Sequence, residues 1–150
     1  PIRALQEIRP LRFHTLYRWP INAYVFDFGQ NMVGRVRLKV NAPRGTTITL
    51  RYAEVLQGGP KAEDGEIYTD NLRSARQTDV YTCRGDGEEI WEPKFTFHGF
   101  RYVELVGLPH EPTLETITGV VLSSDNAASG SFECSDAQLN QLQRNIEWGW

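Results

Sequence analysis

The sequence predicts an all-β fold, an antiparallel β-sandwich or jelly roll with one C-terminal helix. Three observations carry that prediction. Apolar and polar residues alternate with a period of two in several short segments, the spacing of half-buried strands. Turn-forming Gly and Pro residues separate those segments. Helical periodicity occurs once, close to the end of the chain. Composition agrees: of 150 residues, 40% are hydrophobic and 23% charged, which suits one folded domain with a sizeable core and excludes wholesale disorder.

The first 22 residues read as a connecting segment. Residues 24–28 alternate, with Tyr24, Phe26 and Phe28 on one face. Residues 35–40 are the cleanest strand: Val36, Leu38 and Val40 point one way, Arg35, Arg37 and Lys39 the other. Pro43 and Gly45 then supply turn chemistry. Residues 46–55 resume the alternation through Ile48, Leu50 and Tyr52, and an antiparallel hairpin with 35–40 is expected. A polar loop over 57–65 follows. Residues 78–83 form a strand, Arg84-Gly85-Asp86-Gly87 turns it, and 88–96 is expected to pair back, carrying Trp91, Phe95 and Phe97 as bulky apolar residues. Strands are predicted at 101–106, at 116–123 and around Phe132. In the terminal helix Ser135 caps with Gln138 three residues on, and Leu139, Leu142 and Ile146 form one apolar stripe. That stripe either meets a partner beyond the chain or folds back on the sandwich.

Several function classes find no support. Acidic residues number 19 and basic ones 16, a net charge of −3, so no nucleic-acid partner is expected. No apolar run approaches the roughly 18 residues of a membrane span. The chain starts at Pro1, its only methionine is Met32, and it stops just after the amphipathic stretch. It is therefore expected to be a piece of a longer protein, which leaves the compartment open. Cys83 and Cys134 lack metal-ligand or redox spacing and are expected to be free thiols.

The three histidines, His14, His98 and His110, accompany no nucleophile elbow and no metal-binding pattern. Glu63, Asp64 and Glu66 read as a solvated acidic loop rather than a calcium loop. Asp27, Glu54, Asp70, Asp79, Glu92 and Glu104 offer carboxylates, but on or beside strands they are expected to face water or pair with arginine. No catalytic residue and no metal ligand is assigned.

The binding candidates are few. Gln30 and Asn31 lie between Gly29 and Gly34 and present two amides, which both donate and accept and so pin a loop or meet a sugar hydroxyl. Tyr68, Asn71 and Arg73 follow the long polar loop, where functional residues are commonly displayed by a rigid sheet. His98 sits in Phe97-His98-Gly99-Phe100-Arg101, which reads as a bulge or tight bend, and a structural role is expected for it. Trp19, Tyr68, Trp91 and Trp148 are the aromatics able to stack on a sugar ring, with Trp91 expected in the core and Tyr68 exposed.

Three stretches taken in order go further. They are Val25-Phe26-Asp27-Phe28-Gly29-Gln30-Asn31-Met32-Val33-Gly34; Ile67-Tyr68-Thr69-Asp70-Asn71-Leu72-Arg73 with Thr78-Asp79-Val80-Tyr81; and Trp91-Glu92-Pro93-Lys94-Phe95-Thr96-Phe97-His98-Gly99-Phe100-Arg101-Tyr102-Val103-Glu104. Together they resemble the β-sandwich domain that precedes the catalytic barrel of bacterial α-L-rhamnosidases. Gly130-Ser131-Phe132-Glu133-Cys134-Ser135 and the segment from Leu139 to Trp148 resemble the approach to the first helix of the (α/α)6 barrel in the same enzymes. Arg35 departs from the aromatic residue expected after Gly34.

The resemblance implies a parent enzyme that removes terminal α-L-rhamnose with inversion and without a cofactor. An inverting site needs an acid and a base roughly 6.5–9.5 Å apart; the family's pair lies in the barrel, beyond Trp150, so the fragment alone is expected to be inactive. The implied organisation is a connecting segment over 1–22, a sandwich over 23–125, and a link with the first catalytic-domain helix over 126–150. The implied partner is the catalytic barrel of the same full-length chain, with rhamnosylated carbohydrate as a further partner and no membrane. Localisation, cytoplasmic or exported in a bacterium, stays open. Two other readings stand beside this one: a carbohydrate-binding module for rhamnosides, and a protein-interaction sandwich unrelated to sugars.

Overall fold

The computed structural model describes residues 2–149. Eight strands and one helix follow in order: β1 (Ile2–Ile8), β2 (Arg12–Leu16), β3 (Ala23–Asn41), β4 (Thr47–Ala53), β5 (Thr78–Thr82), β6 (Glu88–Trp91), β7 (His98–Val106), β8 (Ile117–Ser124) and α1 (Ala137–Trp148), with a short 3-10 turn at Asp70–Leu72. The strands form one antiparallel sheet ordered β1-β8-β3-β7-β4-β5, with β2 and β6 also on β3.

The 19-residue β3 makes this sheet a sandwich. Its first half pairs with β2 and β7, whereas from Gly34 onward it pairs with β8 and then, from Leu38, with β6. The sheet folds over along β3 into two layers. Tyr24, Phe26 and Phe28 enter the core from one half of the strand and Val36, Leu38 and Val40 from the other, meeting Ile48, Leu50, Tyr52, Phe100, Val103 and Leu105. Gly34 stands where β3 changes neighbours. A Cβ there would lie 2.2 Å from the Val120 carbonyl oxygen, so only glycine lets β8 approach.

The two halves differ in burial. Beyond Gly34 inward residues are buried and outward ones are not. The outward Arg35 and Arg37 meet Glu92, Arg37 also meets Glu7, and Lys39 meets Glu88. Residues 23–28 are buried throughout, because the long loop after β4 folds back over their outer face. There Val25, Ala53, Leu56, Ile67 and Tyr102 make a second apolar cluster, and Leu56 bridges Ile67.

Two pairings expected from the sequence are corrected. β3 and β4 are not a hairpin: β4 pairs with β5 and β7. Ile48, Leu50 and Tyr52 face the same core as Val36, Leu38 and Val40, but from the opposite layer, so the turn crosses the sandwich. Nor does β6 pair back on β5; it pairs with β3, Leu38 opposite Trp91. The second half of the expected 88–96 strand is lost as well. Pro93 has no N–H for a ladder, Phe95 has φ 61°, and Phe95 and Phe97 are exposed. Residues around Phe132 form no strand. The α1 N-cap is Asp136, not Ser135; its carboxylate accepts from the Gln138 and Leu139 N–H groups. Cys83 and Cys134 are free, the first buried and the second partly so.

The turn after β5 is held by a carboxylate. Glu89 accepts from the Tyr81 hydroxyl (2.5 Å), the Arg84 and Gly85 N–H groups (3.0 and 2.9 Å) and the Arg84 guanidinium (3.3 Å). These donors, Tyr81 foremost, pull the Glu89 carboxyl down to about 2 from an ordinary 4.5. A lowered folded-state pKa gives stability that is fully present above pH 4.5 and is lost as pH falls through about 2. Glu89→Gln should therefore destabilise the protein at neutral pH and flatten the pH dependence of its urea midpoint between pH 4.5 and 2. Parallel curves for the two proteins across that window would contradict this.

Candidate functional site

The site is built on an irregularity in β3. Asp27 pairs with Tyr102 and Met32 with Phe100, so residues 28–31 bulge opposite Arg101 alone. The sequence predicts a loop here between two strands; the structure carries one strand through it. Gly29 takes φ 72°, and its N–H donates to Asp27 Oδ1 at 2.7 Å. Arg101 forks the same carboxylate, Nε to Oδ1 at 2.8 Å and Nη2 to Oδ2 at 2.9 Å, and Arg12 reaches Oδ2 at 3.4 Å. The Arg101 guanidinium also lies over the Tyr102 ring, 5.0 Å from its centroid. Burial pushes the Asp27 carboxyl up, but the Arg101 fork, the Gly29 N–H and the two arginine charges more than offset this and leave it below its ordinary value.

This staple lifts Gln30 and Asn31 onto a crest. The Gln30 amide donates to the Asn31 carbonyl at 2.8 Å, and Asn31 Nδ2 donates to Glu54 Oε1 at 3.0 Å. Glu54 follows directly on β4. The Asn31–Glu54 pair is a ridge between two concavities. A cup of about 420 Å³ on one side is lined by Gln30, Arg101 and Tyr102. A groove of about 730 Å³ on the other runs between the sheet and α1 and is lined by Val33, Phe97, Arg144 and Trp148.

His98 lies elsewhere, buried at the start of β7. Its Nε2 is 3.0 Å from Asp79 Oδ2, the oxygen that also accepts the Tyr52 hydroxyl at 2.7 Å. The His98 and Tyr52 rings stack at 4.1 Å. Burial raises the Asp79 carboxyl, yet the His98 and Tyr52 hydrogen bonds bring it below its ordinary value. Burial first, and the Asp79 charge second, push the Tyr52 phenol far upward. Tyr52 is fully buried, so the cluster has no accessible hydroxyl to activate. It ties edge strand β5 to β7 through the sheet.

Tyr68, Asn71 and Arg73 lie on the segment that returns over the second apolar cluster. Tyr68 is half-buried, its N–H on the Val55 carbonyl at 3.0 Å. Asn71 and Arg73 are exposed, Arg73 at φ 55°. Of the six candidates the structure brings Gln30 and Asn31 together; Tyr68, Asn71, Arg73 and His98 line neither concavity. Glu54 and Arg144 complete the ridge and groove and were not singled out as binders by sequence, because only the fold brings them to Asn31. Among the described residues no group of three or more His, Cys, Asp or Glu is placed to hold a metal ion, and no helix is long and apolar enough to cross a membrane.

Residues 18–123 match the family described as the bacterial alpha-L-rhamnosidase concanavalin-like domain. The chain belongs to that family. An α-L-rhamnosidase of Streptomyces avermitilis is 52% identical over 149 residues, covering 99% of this chain and 14% of the relative. Two solved structures are similar across 99% of the chain. The α-L-rhamnosidase of Dictyoglumus thermophilum has a TM-score of 0.90 at 41% identity, and this chain covers 16% of it. The Streptomyces avermitilis α-L-rhamnosidase complexed with L-rhamnose has a TM-score of 0.86 at 46% identity, with 14% covered. This rhamnosidase-type concanavalin-like domain thus spans about 14% of the length of the curated relative. The family match takes in the Asp27 staple, the Asn31–Glu54 ridge and the His98 cluster, while Arg144 and Trp148 of α1 lie outside it.

Proposed function

We propose that the chain is the non-catalytic β-sandwich of an α-L-rhamnosidase, a glycoside hydrolase that removes terminal α-L-rhamnose with inversion. In this reading 23–125 forms the sandwich that supports or rims the catalytic barrel, the preceding segment, expected only to connect, adds β1 and β2 to its sheet, and 126–150 leads into the first helix of that barrel. The supporting observation is the match of residues 18–123 to the concanavalin-like domain of bacterial α-L-rhamnosidases, in a chain that covers only 14% of a rhamnosidase relative. The Leu139, Leu142 and Ile146 stripe of α1 is about half exposed, which supports a helix that packs on chain outside the sandwich.

The test is an assay with an aryl α-L-rhamnoside. The full-length parent should turn it over and residues 1–150 alone should not. Turnover by the fragment that survives repurification would overturn the reading, as would a parent inactive on rhamnosides.

A further inference from the structure

We infer that the groove between the sheet and α1 is a binding site for a glycoside, gripped by Asn31, Glu54 and Arg144 and flanked by Phe97 and Trp148. The core residues Met32 and Val121 reach its floor, and its about 730 Å³ falls within the usual range for small-molecule sites. Its lining is of three kinds. Ile2, Leu5, Met32, Val33, Val121 and Leu122 form an apolar wall, as is usual for a small-molecule site that carries a few placed polar groups. Phe97 and Trp148 present aromatic surface, 61% and 38% exposed, the kind on which the apolar face of a sugar ring or an aryl aglycone stacks. Asn31, Glu54 and Arg144 present hydrogen-bonding groups on the same groove.

Those polar groups suit vicinal hydroxyls. One Asn31 N–H is spent on Glu54 Oε1, and that bond fixes the two side chains side by side. It leaves Glu54 Oε2 and Asn31 Oδ1 as acceptors and the second Asn31 N–H as a donor. The Arg144 guanidinium is anchored on Gln141 at 2.8 Å and keeps further N–H groups to offer. A hydroxyl both donates and accepts, so adjacent hydroxyls meet an acceptor pair and a donor at once. A purely apolar partner would leave these groups without hydrogen bonds, at a cost of about 1–3 kcal/mol for each one buried.

The helix argues against the groove being the seam to another domain. At 100° per residue, Arg144 and Trp148 lie on the side of α1 opposite Leu139, Leu142 and Ile146, with Glu147 on the flank. The apolar stripe suited to packing protein faces away, and the polar and aromatic side turns to the groove. The rhamnoside chosen as first probe rests on the proposed parent activity; the hydroxyl-recognition geometry does not.

Proton–nitrogen correlation NMR of the protein tests this, titrated with an aryl α-L-rhamnoside and then with methyl pyranosides of other configurations. Saturable shifts should be confined to the Asn31 side-chain amide, the Trp148 indole N–H and the Gly99 amide. Phe97→Ala, Glu54→Gln and Arg144→Ala should each weaken affinity by about tenfold or more. Arg144 and Phe97 are exposed, so these variants should keep the wild-type spectrum elsewhere, and that spectrum reports folding. No saturable shift with any glycoside up to its solubility limit overturns the inference. So does undiminished affinity in folded variants, or sedimentation showing a second copy over the groove. Binding of pyranosides by the fragment while the full-length parent fails to hydrolyse rhamnosides would keep the groove and overturn the parent activity instead.

Discussion

Asp27→Ala should lower the unfolding free energy by about 3 kcal/mol, measured by urea denaturation at neutral pH. Removing one partner of a buried ion pair typically costs about 3–5 kcal/mol, because the other charge stays behind without its partner. Here the Asp27 side chain is 7% exposed and that of Arg101 34%, so the abandoned guanidinium reaches some water and the loss falls at the low end. The Gly29 N–H also loses its acceptor. Arg101→Met should cost less, since Asp27 keeps Arg12 and Gly29 as partners. The double variant should recover part of the summed loss, which a double-mutant cycle reads directly. A loss below about 1 kcal/mol for Asp27→Ala would mean the pair is no more than a surface ion pair. Acid should mimic the substitution: with its folded-state pKa lowered, the Asp27 contribution is present above an ordinary 3.8 and fades as pH falls through the lower folded value.

The same residue shows what sequence reading reaches here. Glycines 29 and 34 marked 30–33 as irregular, and two consecutive amides marked Gln30 and Asn31 for attention. That Asp27 curls back to Gly29 and takes Arg101 from a strand 74 positions away leaves no local trace. Alternation tells which face a residue uses and not which strand lies beside it. Val36, Leu38, Val40 and Ile48, Leu50, Tyr52 gave the same pattern from opposite layers, so a short turn between them looked like a hairpin. The 88–96 segment failed for another reason. Its apolar spacing persisted past Pro93, but proline ended the ladder and left Phe95 and Phe97 in solvent. The α1 stripe was legible because helical spacing is intrinsic to one segment. Which side of α1 turned to the sheet was not, and the groove depends on that.

The core joining the two layers yields the second large effect. Phe100→Ala should cost about 4 kcal/mol, near the middle of the range for truncating a buried aromatic. Phe100 is fully buried and meets Phe28 edge-to-face at 5.7 Å and Tyr52 at 5.0 Å. Its backbone pairs with Met32, just past the bulge, where β3 leaves one set of neighbours for another. A cavity there, beside the fold line, removes contacts from β3 and β4 alike, so neither strand can close it alone. Phe100→Leu fills most of the volume and should cost roughly 1.5 kcal/mol. Against a stability of 5–15 kcal/mol expected of a domain, the alanine variant should melt roughly 10 °C lower by calorimetry. If both variants lose less than about 1 kcal/mol, Phe100 is not packed tightly in this core. Because Tyr52 stacks on His98 from its other neighbour, the alanine cavity should also loosen the Asp79 cluster. A larger rise in amide exchange over the wild type in β5 than in β8 would report that spread.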